Sequence, residues 1–444
     1  MGVKLFTFLG IKGYEETEYF FGDESSTKSY KSSFTQEAIV KTLEIPELEV
    51  IVFTTEEAYQ KNWIPKDKGL KSKLENANVK CKNIMIPQGK TNEEIWQIFN
   101  LVYENIEEND EIYVDITHSL RSIPVVFMSV LNHAKITKGC HIKRILYGAY
   151  EAKEEDNRSP IFDLILFDKI TDWSFGVDQL ISTGESEKFC SAAEETLKPL
   201  KSQTQGKDEL VSLTEKCAKK IKEFYTDLKL AQGKPIQKNG VELKNLLDKI
   251  KELNKDERLE IKPFYDILEK IENQVDFFEE NNLVENILGC AKLCVKFGMY
   301  QQAYTFLLEN IINYICLEAG LDWNKLKDRE NVAKVIGLKN LAVRKEKNYE
   351  KGQESGDKET SDKETELQNL KDKLGFITED IAKYYDKLGQ YRNTLNHAGF
   401  RENPLSKKKV LDEINSFISE FEKLFLEKEI LEEGGKRACF VRNN

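Results

Sequence analysis

Two short stretches of this chain put reactive side chains at spacings that suit chemistry. The first is Tyr391-Arg392-Asn393-Thr394-Leu395-Asn396-His397-Ala398-Gly399-Phe400, where Arg392 and His397 lie five positions apart. His397 is also the only one of the four histidines beyond residue 141. A guanidinium stays charged and grips phosphate, whereas an imidazole trades a proton near neutral pH. Held together, such a pair can cut RNA through the RNA's own 2′-OH, without a metal. His397 would serve as base or acid, Arg392 would stabilise the phosphorane charge, and Asn393 would orient the phosphate or hold His397. Residues five apart on an ideal helix differ by roughly 140° around the axis. Arg392 and His397 therefore share a face only if the helix ends near Asn396, and Gly399 supplies such an end. A seam between two copies of the chain relaxes the constraint as well.

The second stretch is Asp115-Ile116-Thr117-His118-Ser119-Leu120-Arg121-Ser122-Ile123-Pro124. A strand is expected to end at Asp115 and a helix to begin near Ser122, with Pro124 in its first turn. Free backbone N–H groups, the hydroxyls of Thr117, Ser119 and Ser122, and the Arg121 guanidinium then face one crevice, which suits an anion. Asp115 is expected to satisfy amides of the turn. Thr117, Ser119 and Arg121 are expected to touch a ligand, while His118 reads equally as a ligand contact or as a turn-stabilising group. Gly10, Thr54 and Thr55 are placed around the same crevice, as are Gln88 and Lys90. His133 and His141 read as structural.

The elements that must position these residues follow from apolar periodicity. Up to residue 170, strands at 3–9, 48–54, 79–86, 111–115, 142–147 and 161–167 interleave with helices at 33–43, part of 57–77 (broken at Pro65), 91–106 and 122–135. Thr91 and Glu94 form a capping box for the third of these helices. Such alternation predicts an α/β fold with a parallel, doubly wound sheet, and an order 3-2-1-4-5 for its first five strands. Its topological switch then lies between the first and fourth strands, where the loops 9–14 and 116–121 meet at the carboxyl ends. No Gly-x-Gly-x-x-Gly follows the first strand and no P-loop occurs, which disfavours a dinucleotide cofactor and NTP hydrolysis.

From residue 171 onward strand patterns vanish. Helical periodicity covers 186–197, 209–232, 240–253, 258–281, 283–319, 325–335, 367–396 and 405–431, and the charged stretch 345–366 reads as a flexible insertion. Three regions are expected: 1–170 α/β, 171–280 a helical connection, and 281–444 an all-α domain.

Composition narrows the function classes. With 444 residues, 40% hydrophobic and 32% charged, the chain is expected to be a soluble protein of two or three domains. It shows neither a long apolar run nor a signal-peptide layout, and a cytoplasmic protein is expected. The eight cysteines form no CxxC pair; Cys290 and Cys294 lie one helical turn apart without a histidine partner, so core packing is expected and no metal site. A net charge of −11 argues against stable DNA binding; a nucleic-acid ligand is expected to be small or short and to bind at local sites.

At these residues the chain resembles CRISPR-associated proteins with a CARF domain. Asp115-Ile116-Thr117-His118-Ser119 is similar to their D-x-T-H-G signature, with Ser119 in place of the glycine. Phe8 to Tyr14 (FLG-x-x-x-Y), Phe53-Thr54-Thr55 with Asn62, Arg121 to Pro124, and Tyr147-Gly148-Ala149 are similar to the same group. Residues 298–303 followed by Glu309, together with Arg392-Asn393 and His397, resemble the HEPN ribonuclease domain of these proteins and its R-x4-H motif. The resemblance implies a Rossmann-like CARF domain that binds cyclic oligoadenylate as an allosteric activator. Tetra-adenylate is the first choice and hexa-adenylate the second. It also implies a HEPN domain that cleaves single-stranded RNA without a metal, in a homodimer or higher oligomer serving type III CRISPR defence. Two alternatives stay open: a sensor that also or mainly cleaves its cyclic ligand, and a non-catalytic nucleotide-sensing scaffold.

Overall fold

The computed structural model of the protein describes residues 2–21, 28–118, 123–154, 157–253, 262–349, 373–398, 400 and 404–427. The chain divides into two compact units, Met1–Lys169 and Ile170–Asn444.

The first unit is built on β1 (Val3–Leu9), β2 (Thr17–Phe21), β3 (Ser29–Ser32), β4 (Leu48–Thr54), β5 (Lys80–Met85), β6 (Glu111–Asp115), β7 (His141–Gly148) and β8 (Arg158–Asp163). They form one sheet in the order β3-β2-β8-β7-β6-β1-β4-β5. The run β5-β4-β1-β6-β7 is parallel throughout and is the expected 3-2-1-4-5 arrangement. β1 alternates its side chains between two helical layers. Phe6 and Phe8 join the core under helices Asn92–Glu104 and Ile123–Lys138, whereas Leu5 and Leu9 join the core under helices Thr35–Leu43 and Leu70–Asn76. This period of two, buried on both faces, explains the near-continuous apolar strand VKLFTFL.

Beyond β7 the sheet departs from the sequence reading. β8 pairs antiparallel with β7, β2 pairs parallel with β8, and β3 closes the edge antiparallel to β2. The sheet is therefore mixed, with β2 and β3 added. The sixth strand is Arg158–Asp163 and not 161–167, because the helix Ile165–Thr183 starts there, with the Asp163 carboxylate accepting from the Ile165 amide at 3.0 Å. The segment 57–77 resolves into a turn of π-helix at Tyr59–Trp63 and the helix Leu70–Asn76, separated at Pro65.

The second unit is helical throughout its described residues. Helices Glu187–Gln203, Glu209–Lys229, Gly233–Leu253, Lys262–Val275, Leu283–Lys296, Tyr300–Glu318, Leu326–Tyr349, Glu379–Asn396 and Lys407–Phe421 surround one apolar core running from Trp173 to Phe425. The segment 171–280, read above as a separate connection, contributes Phe189, Phe224 and Phe278 to that core. The stretch 283–319 is two helices, because Gly298 takes φ +72 between them. Caps set several starts: the side chains of Asp208, Thr378 and Ser406 accept from Val211, Ile381 and Lys409 amides. Of the expected insertion 345–366, residues up to Tyr349 continue the helix Leu326–Tyr349, and the remainder lies outside the described residues. Cys290 and Cys294 are buried in the core. Among the described residues no helix is long and apolar enough to cross a membrane, and no group of residues fits a metal ion.

At the amino end of β1, Lys4 and Asp110 form a buried ion pair at 2.7 Å. Burial pushes the Asp110 carboxyl up, but Lys4 and the amides of Glu107 and Gly2 outweigh it and hold the group below its ordinary value. A carboxylate with a lowered folded-state pKa adds stability above its unfolded value and loses it as pH falls toward the folded one. Asp110→Asn is expected to cost about 3 kcal/mol at pH 7 by leaving Lys4 short of its partner. That deficit should shrink below about pH 4, as read by urea unfolding of wild type and variant at both pH values.

Candidate functional site

The carboxyl ends of β1, β6 and β7 are tied together around the Asp115 carboxylate, which is fully buried. Its Oδ2 accepts from the Thr7 hydroxyl of β1 at 2.7 Å. Its Oδ1 accepts from both the backbone amide and the hydroxyl of Thr117. The Thr117 hydroxyl in turn accepts from the Gly148 amide at the end of β7, at 2.8 Å. Gln36 reaches in from its helix to donate to Thr7 Oγ1 at 3.1 Å and to the Phe8 carbonyl at 3.0 Å. The turn after β6 is thus tied to two neighbouring strands and to one covering helix.

The loop after β1 is held from its other side. The Tyr14 hydroxyl accepts from the Gly10 amide at 2.8 Å, and Asn62 Nδ2 donates to the carbonyls of Gly10 and Lys12, both at 2.8 Å. A Cβ on Gly10 would stand 2.9 Å from the Tyr14 hydroxyl, so a side chain there would push Tyr14 off the Gly10 amide.

Two cavities open where these loops meet. One, of about 230 Å³, is lined by Phe8, Leu9, Gly10, Ile11, Phe53, Thr55, Glu57, Ile86, Gln88, Lys90, His118 and Ile123. The other, of about 360 Å³, is lined by Lys12, Gly13, Tyr14, Glu15, Tyr19, Thr117, His118, Tyr147, Gly148, Tyr150 and Glu151. His118 belongs to both. Its ring lies 4.4 Å from the Tyr14 ring, and its Nε2 is buried without a hydrogen-bond partner. Burial lowers its pKa against the opposing pull of Asp115 and Glu151, so a neutral imidazole faces the crevice at pH 7.

Gly10, Thr55, Gln88, Lys90, Thr117 and His118 therefore gather at one place, as expected from the switch-point rule. Thr54 does not join them. Its hydroxyl is buried, accepting from Asn83 at 2.9 Å and donating to the Met85 sulfur, because position 54 still belongs to β4. Thr117 lines the larger cavity, but its hydroxyl is committed to Asp115 and Gly148. Thr55 caps the following turn by accepting from the Ala58 amide. Ser119, Arg121 and Ser122 lie outside the described residues. The residues missed by spacing are Glu57, Glu15, Tyr19, Tyr150 and Glu151. Four of them come from β2 and the β1–β2 and β7–β8 connections, which no strand pattern had placed beside the crevice.

The second unit holds the other motif on the helix Glu379–Asn396. Tyr391 packs into the core between Tyr304 and Phe417, with ring centroids 5.6 Å and 5.0 Å away. That contact fixes the helix's rotation and leaves Arg392 and Asn393 beside a cavity of about 320 Å³, lined also by Leu308, Gly337, Asn340, Leu341, Tyr385, Asp386, Gly389 and Gln390. Arg392 Nε is buried there without a partner. The helix ends as the geometry of Arg392 and His397 requires. His397 is its C-cap and bonds the Asn393 carbonyl at 3.0 Å; the left-handed residue is Ala398, φ +51, while Gly399 lies outside the described residues. His397 is exposed and does not line the cavity that holds Arg392 and Asn393. Within one chain the three residues share a helix end but not a pocket.

Residues 4–151 match the family model described as CRISPR system endoribonuclease Csx1, CARF domain. Over 125 residues the chain is 35% identical to CRISPR-associated protein MJ1674 of Methanocaldococcus jannaschii, covering 27% of this chain and 19% of that protein. The chain thus spans about a fifth of the length of the curated relative it matches.

Gly148 closes the crevice wall with no room to spare: a Cβ there would lie 2.6 Å from Thr35 Cγ2 and 3.3 Å from Thr117 Oγ1. Gly148→Ala is expected to destabilise the protein by about 1–3 kcal/mol through overpacking. Adding Thr35→Ser, which removes the clashing methyl, should recover more than half of that loss in chemical denaturation.

Proposed function

We propose that this chain, whose residues 4–151 are a CARF domain of the kind carried by CRISPR-associated proteins, is a cyclic-oligoadenylate-activated, metal-independent endoribonuclease. Its substrate is single-stranded RNA, and its setting is type III CRISPR defence, where it acts as an ancillary effector. The observation that carries the reading is the pairing of two sites in one chain. A crevice sits at the switch point of the first unit, and an Arg392-Asn393…His397 helix end sits in the helical second unit.

The crevice suits a cyclic oligonucleotide. The loops after β5 and β6 present Lys90 and a neutral imidazole to it, and Arg121 with Ser119 and Ser122 would add phosphate contacts. A ring with two-fold symmetry calls for two copies of the crevice, so a homodimer is the working unit. The activator is cyclic tetra-adenylate first and hexa-adenylate second.

In the second unit Arg392, beside its cavity, would hold the scissile phosphate and the charge that grows on it. His397, standing clear at the helix end, would move protons at the 2′-oxygen and the leaving 5′-oxygen. Because His397 is exposed and apart from the Arg392 cavity, the geometry favours a composite site in which two helix ends from two protomers face each other. Activation follows if the ligand binds one arrangement of the dimer better than another.

The test is an RNase assay on the full chain with EDTA and a panel of cyclic adenylates. Wild type should cut single-stranded RNA only with the ring present, leaving 2′,3′-cyclic phosphate and 5′-OH ends. His397→Ala should lose cleavage by about a hundredfold or more while binding the ring as wild type does, and Arg121→Ala should raise the ring concentration needed. Full cleavage by His397→Ala would remove the catalytic assignment. Linear products from the ring itself in that variant would favour the ligand-cleaving alternative.

A further inference from the structure

The two cavities that meet at His118 differ in chemistry. The smaller one offers Lys90 against apolar walls, and its one acid, the exposed Glu57, lies 4.0 Å from Lys61. The larger one is lined by Tyr14, Tyr19, Tyr147 and Tyr150 together with the carboxylates of Glu15 and Glu151. These acids are held in place by the aromatic side chains. The Tyr147 hydroxyl donates to Glu151, and the Tyr150 hydroxyl donates to Glu15 at 2.7 Å. Each carboxylate has about four lone-pair sites and keeps acceptor capacity toward the cavity.

We infer that the tyrosine-lined cavity is an adenine subsite and that the Lys90 side takes the phosphates of the same cyclic ligand, an inference that rests on the function proposed above. A phosphate beside Glu15 and Glu151 would meet like charge, whereas a neutral base would not. Aromatic rings at the wall give the base a stacking partner. The exocyclic amino group of adenine donates, and a carboxylate only accepts, so the two match. A 6-oxo purine would instead turn an acceptor toward an acceptor. His118 lines both cavities, and its Nε2 is buried without a hydrogen-bond partner. Phosphate and base are thus met by different walls of one crevice.

The experiment compares ring binding by isothermal titration calorimetry on the full chain. Its probes are cyclic tetra-adenylate, cyclic hexa-adenylate, and the hypoxanthine counterpart of whichever adenylate ring binds more tightly. Wild type should bind the hypoxanthine ring at least about tenfold more weakly than the adenine ring. Glu151→Gln and Glu15→Gln, whose amides donate as well as accept, should narrow that ratio. Equal binding of the two rings by wild type would overturn the inference, and so would an unchanged ratio in both variants; either result leaves the proposed function standing. Failure of wild type to bind any adenylate ring would overturn the proposed function and the inference together.

Discussion

The buried carboxylate of Asp115 is the constraint on which the first unit's site depends. A charged group with no exposure is tolerated only when its lone pairs are filled. Here they are filled by Thr7 from the adjoining strand and by the amide and hydroxyl of Thr117. Through the Thr117 hydroxyl the same network reaches Gly148 on the far side of β6. One acid thereby sets the relative positions of β1, β6 and β7 at their carboxyl ends. It also fixes the turn that carries His118. The hydroxyls of Thr54, Thr55 and Thr117 are consumed in building this platform, while His118, Lys90 and several tyrosines line the two cavities.

The second unit buries an aromatic residue directly before Arg392. Tyr391 is anchored between Tyr304 and Phe417, so the helix cannot roll, and Arg392 must face the neighbouring helices. Glu309 and Arg329 brace those helices with an ion pair at 2.7 Å, and Arg329 also bonds Asn313 and the Trp323 carbonyl. Immediately after Asn396 the backbone reverses at Ala398, leaving His397 outside. Within one chain Arg392 is thus set beside its cavity and His397 stands clear of it at the helix end.

The core of the first unit was readable because its five parallel strands are apolar on both faces and spaced by helices, which leaves few topologies open. β2 and β3 were not readable in the same way. TEYFF does alternate, with Thr17, Tyr19 and Phe21 buried, but five residues beside a polar stretch are too short for periodicity to distinguish from a loop. Missing them hid Glu15, Tyr19, Tyr150 and Glu151 of the larger cavity, since these stand on or next to that added part of the sheet. Thr54 was misplaced by one residue's worth of pleat: Thr55 faces the crevice, and Thr54 points into the sheet. The helix end at Asn396 was legible from the Arg-to-His spacing and the approaching glycine, whereas the choice of Ala398 as the left-handed residue was not, because alanine carries no signal for that conformation.

The interleaved strand order also shapes how the chain assembles as it is made. β1, β4 and β5 are all synthesised within the first 85 residues and can pair early. β6 then covers the open side of β1, but β2 must wait: Glu18 pairs with Arg158, and Thr17 bonds the Asn157 carbonyl across 140 residues of chain. Until β8 leaves the ribosome, β2 and β3 have no sheet to join, and this long-range closure is the slow step for the unit. Tyr19 and Tyr150, on or beside this late-pairing part of the sheet, can take their places only after β8 has emerged, so the crevice of a nascent chain stays incomplete until its whole first unit has been made.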